Sequence, residues 1–86
     1  MAHIETVACI ATLAARQFDL PPTAIDVDVP VGDLDVDSLD YLNFLLEVER
    51  LFDVDIDYLE ATRVPTLRRV ASLVDLARID DAGRTA

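Results

Sequence analysis

Near its N-terminus the chain places Ile4, Val7, Ala8, Ala11, Ala14, Ala15 and Phe18 at three- and four-residue intervals. That period marks one face of an α-helix, and the alanines favour the same state. It predicts a helix over residues 3–18. Pro21 and Pro22 follow, and proline has no N–H to continue the ladder. Residues 21–37 keep no sustained helical period, and Pro30 and Gly32 interrupt it further, so a long loop is expected there. In a small domain such a loop is either functional or pinned by buried side chains. Ile25, Val27, Val29, Val31, Leu34 and Val36 are the candidates for pinning. The helical period returns over 38–52, a single turn is expected around 57–62, and a last helix starts after Val64-Pro65. Thr66 is its expected cap, and Leu67, Val70, Ala71, Val74 and Ala77 form its apolar stripe to about residue 79. The expectation is all-α: three main helices, one short helix and a long first loop. One domain spans 1–86, with its helical core over about 3–79 and a frayed tail over 80–86.

Composition leaves room for a core and charge narrows the partners. The chain is 52% hydrophobic, which argues against disorder, yet its net charge is −10. Thirteen of the seventeen acids lie in residues 19–60, where Arg50 is the one base; there is no lysine. This field repels nucleic acid and anionic membranes and attracts basic protein surfaces. No apolar run approaches the length of a membrane span, and no basic-then-apolar signal opens the chain. Cys9 is the single cysteine, so no intrachain disulfide forms, and a reducing, cytoplasmic setting is expected.

The stretch "DLDVDSLD", residues 33–40, admits three readings. A calcium loop opening at Asp33 needs glycine at its sixth position and glutamate at its twelfth; those are Ser38 and Phe44. No calcium site is expected, and with His3 the one histidine, no transition-metal site either. As a helix start, Asp37 is the better cap, with Asp40 three residues on in the place of the usual glutamate. Ser38 then becomes the first helical residue, its hydroxyl free at an end that favours anions. Nucleophilic catalysis by Ser38 lacks a base, since the chain has no lysine and one terminal histidine. An enzyme is not expected, and Ser38 is either a plain helix-start residue or a modification site. Behind it, Tyr41, Phe44, Leu45, Val48 and Phe52 suffice to face the core, while Asp40, Asn43, Glu47 and Arg50 form a polar stripe. Leu39, Leu42 and Leu46 make a second apolar row, either a broad buried face or a docking face ringed by acids.

Asp37-Ser38-Leu39-Asp40 followed by "YLNFLLEVERLFDVDI" resembles the acyl carrier proteins of fatty-acid and polyketide synthesis. The likeness covers nearly the whole chain, including the proline-interrupted loop and "VPTLRRVASLV". It implies a small four-helix bundle whose Ser38 carries phosphopantetheine, installed from coenzyme A by a phosphopantetheinyl transferase (a holo-carrier synthase). The terminal thiol of that arm would hold acyl groups as thioesters. By the same resemblance, Asp37, Leu39, Asp40, Leu42, Leu46, Glu47 and Glu49 form the recognition set for acyl-loading and acyl-processing enzymes with basic docking faces. The single-domain length suggests a free-standing carrier, with an excised domain of a larger synthase as the alternative, and a monomer without stable membrane insertion is expected. Its chemistry would be that of the arm, not of an enzyme. Several positions depart from the family's habit: Asp35 for a common glycine, Asn43 and Arg50 where acids are common, Leu46 for methionine, Asp57 for proline, and Arg68-Arg69 for a neutral or acidic pair. These are expected to alter partner-facing charge and to suit a specialised pathway. The rival readings are an aminoacyl or peptidyl carrier loaded by an adenylating ligase, and an unmodified acidic interaction module.

Overall fold

A computed structural model describes residues 3–85, and the side chains of residues 3–78. Four α-helices are present among them: α1 (Ile4–Gln17), α2 (Ser38–Phe52), α3 (Tyr58–Arg63) and α4 (Leu67–Thr85). The all-α bundle expected from the periodicity is the observed fold. Backbone helix continues to Thr85, past the end expected near residue 79; no proline follows Pro65 to stop it. The side chains of the expected frayed tail lie outside the described ones.

The core is one cluster shared by all four helices. Ile10 and Ala14 of α1, Phe44, Leu45 and Val48 of α2, Ala61 of α3 and Leu67, Val70 and Val74 of α4 are completely buried. Phe18 stacks obliquely on Phe44, ring centroids 5.1 Å apart. The α4 stripe is the expected one. The α1 stripe is rotated: Ile4 and Ala8 face solvent, while Thr6 and Ile10 turn inward. Asp75 explains the rotation. This buried carboxylate of α4 accepts the Thr6 hydroxyl and the His3 backbone N–H, each at 2.7 Å, and so fixes how α1 sits.

The long loop is pinned. Two 3₁₀ turns, Pro22–Ala24 and Val31–Leu34, shorten it where only loop was expected. Val31 is buried, and Ile25, Val27 and Val36 pack against the core. The Val31 N–H donates to the Pro65 carbonyl at 2.8 Å, and the Arg68 N–H to the Val27 carbonyl at 3.0 Å. The Arg68 guanidinium forks onto Asp28. Asp35, where the family favours glycine, ends the second turn at φ 61°. Asp19 and Asp53 also have positive φ. Aspartate tolerates this left-handed region better than most residues.

Candidate functional site

The start of α2 follows the capping logic of its sequence. The Asp37 carboxylate accepts the Asp40 N–H at 2.8 Å, and Asp37 itself stays extended at ψ 171°. Ser38 is therefore the first helical residue. Its side chain is exposed and its hydroxyl makes no hydrogen bond to the described residues. The chain's other serine, Ser72, is half-buried and donates to the Arg68 carbonyl. The first N–H groups of a helix lack partners within it, so Ser38 stands where an anion is favoured.

Ser38 borders a cleft of about 260 Å³, lined by Val31, Val36, Asp37, Tyr41, Thr62 and Pro65 among others. Sequence periodicity had no means of finding this cleft, because its walls come from the loop, α2 and the far side of α3. Tyr41 fixes one wall: its buried hydroxyl donates to the Ala61 carbonyl at 2.6 Å. Burial pushes that phenol up to about 12, so it stays a donor.

Along α2 the second apolar row is exposed, so it is not part of a broad buried face. Leu39 is 65% exposed, Leu42 41% and Leu46 50%. Asp40 and Asn43 are exposed beside them. Glu47 is half-buried and forked by Arg50, whose guanidinium holds the carboxyl below the usual range. That end of the face is thus locally neutral. Glu49, expected in the recognition set, has a different occupation. Its carboxylate accepts the Ile56 N–H at 2.8 Å and the Tyr58 hydroxyl, tying the α2–α3 loop to α2. That hydrogen bond, with burial and further acid charge, raises the Tyr58 phenol to about 12.

All the departures from the family habit except Arg69 are solvent-exposed, and several of them are also engaged within the molecule. Asp57 caps α3 through the Glu60 N–H at 3.2 Å. Arg68 holds Asp28, and Arg69 holds Glu60 at 2.6 Å. Asn43, Leu46 and Arg50 are the exposed changes on α2.

The family model for a phosphopantetheine attachment site matches residues 10–74, from mid-α1 to mid-α4. The chain belongs to this family. No curated protein matches it. As a phosphopantetheine carrier it bears its prosthetic group covalently, and such domains carry substrate rather than transform it. The residues at the start of α2 fit the group: an exposed, unengaged hydroxyl at a helix end, with an open cleft beside it. When bound, the group supplies a terminal thiol for holding cargo. No described helix is long and apolar enough to cross a membrane.

Proposed function

We propose that Ser38 is the attachment residue and that the protein is an acyl carrier. On this reading it presents acyl groups, bound as thioesters, to successive enzymes of a fatty-acid, polyketide or related specialised pathway. The observation that carries it is the free Ser38 hydroxyl at the head of α2, beside three exposed leucines. Asp37 holds the helix start in register, so the hydroxyl is offered to a phosphopantetheinyl transferase in one place. Leu39, Leu42 and Leu46 supply apolar contact to partner enzymes, and Asp37 and Asp40 steer basic faces toward it. Glu49 supports this face from behind through the α2–α3 loop.

Intact mass after incubation with coenzyme A and a broad-specificity phosphopantetheinyl transferase tests the assignment. The parent should gain one phosphopantetheine and Ser38→Ala none; gain by the mutant would move the site elsewhere. The specialised pathway rests on Arg50, which cancels Glu47 where an acid is common in the family. Arg50→Glu should raise turnover of the loaded carrier by housekeeping fatty-acid enzymes severalfold, and unchanged rates would count against that pathway. An aminoacyl carrier would instead be loaded by an adenylating ligase, and acceptance by such a ligase is the discriminating assay.

A further inference from the structure

A second groove lies well away from Ser38. It has a volume of about 400 Å³ and runs between α1 and the C-terminal end of α2, lined by Ala8, Cys9, Leu13, Arg16, Leu51 and Phe52 among others. Leu51 is thirteen residues along α2 from Ser38, about 20 Å at the helical rise. The walls are apolar, and the volume falls within the usual span of small-molecule sites. Leu51 is 54% exposed. Phe52, expected in the core, is only half-buried because one side of it forms this wall.

Charge distinguishes the groove from an ordinary surface dent. Arg50, Arg63, Arg68 and Arg69 are each paired with a carboxylate. Among the described residues, Arg16 and Arg78 have no such partner. Arg16 lines this groove, and Arg78 lies over the ring of Phe52, a residue of its wall, at 6.0 Å. In a chain of net charge −10, this apolar slot thus carries a guanidinium, that of Arg16, with no ion pair among the described residues. A guanidinium beside an apolar slot suits a ligand with an aliphatic body and a carboxylate head. The surrounding acidic field disfavours a polyanion, including an acidic protein segment, far more than a single charge.

The geometry points to a binding site for aliphatic monocarboxylates, such as free fatty acids, between α1 and the end of α2. It does not depend on what Ser38 carries. The test is titration of the full-length protein with decanoate, followed by amide NMR, with and without its phosphopantetheine and again in Ser38→Ala. Saturable shifts should appear at Cys9, Leu13 and Leu51 in all three samples, with Val31 and Thr62 of the other cleft unmoved. Decanol, which keeps the chain and loses the charge, should bind about two- to fivefold more weakly. Arg16→Gln should erase that difference while preserving the spectrum of a folded protein. Equal affinity for acid and alcohol in the parent, or shifts confined to the Ser38 cleft, would overturn the assignment. So would shifts at the same amides that grow with protein concentration alone, since they would give the groove to a second copy.

Discussion

Asp75 is the residue on which the seating of α1 depends. It is 7% exposed, and its carboxylate takes the His3 N–H and the Thr6 hydroxyl across the α1–α4 interface. Burial alone would raise its pKa, but these two donors, with the nearby His3 and Arg78, bring it below the usual carboxylate range. A depressed folded pKa contributes stability that is present above about pH 4 and lost as pH falls through the folded value. Asp75→Asn should therefore cost about 2 kcal/mol at neutral pH. The mutant should also lose less than the parent on acidification below about pH 4, which denaturant midpoints across pH will show. Asp28, Glu47 and Glu60 are held low by Arg68, Arg50 and Arg69 in turn, but they lie in solvent contact and contribute little to this slope. None of the Asp75 contacts was legible in the sequence. An aspartate in an apolar stripe reads as a solvent-facing break until its partner, far off in the chain, is known.

At the scale of elements, α2 was readable to the residue. Asp37 and Asp40 carry its start locally, and Asp53, the C-cap in a left-handed conformation, closes it locally. The short α3 was expected as a single turn around 57–62, and its start is set locally by the Asp57 cap. The two 3₁₀ turns were not, since a single turn leaves no period to detect and each is held by contacts outside itself. The site divides along the same line: Ser38 and the leucine row follow from local spacing, while the cleft wall and the task of Glu49 depend on where the α2–α3 loop lands. Glu49 yields the prediction at this scale. Glu49→Ala should speed hydrogen exchange at the Ile56 amide by tenfold or more, about the effect of losing one charge-assisted bond. Amides in the first turns of α2 should keep their protection. Uniform acceleration along α2 would mean instead that the whole helix, not the loop, leans on this carboxylate.

Across the whole molecule, acidity opposes compaction. The exposed arginine pairs recover part of that, but the charge excess concentrated in residues 19–60 remains. Salt weakens the pairs and the repulsion alike, and with so large an excess the repulsion dominates. The thermal midpoint should rise between about 20 mM and about 500 mM sodium chloride, followed by circular dichroism. A fall would show that the pairs outweigh the excess. The stitching of the loop to α4 bears on how the chain is made. Val31 is held by Pro65 and Val27 by Arg68, and Thr62 and Pro65 wall the cleft beside Ser38. A ribosome releases residues in order. Ser38 is made before Thr62 and Pro65, which complete its surroundings. A chain cut off before Thr62 should therefore lack one wall of the cleft beside Ser38.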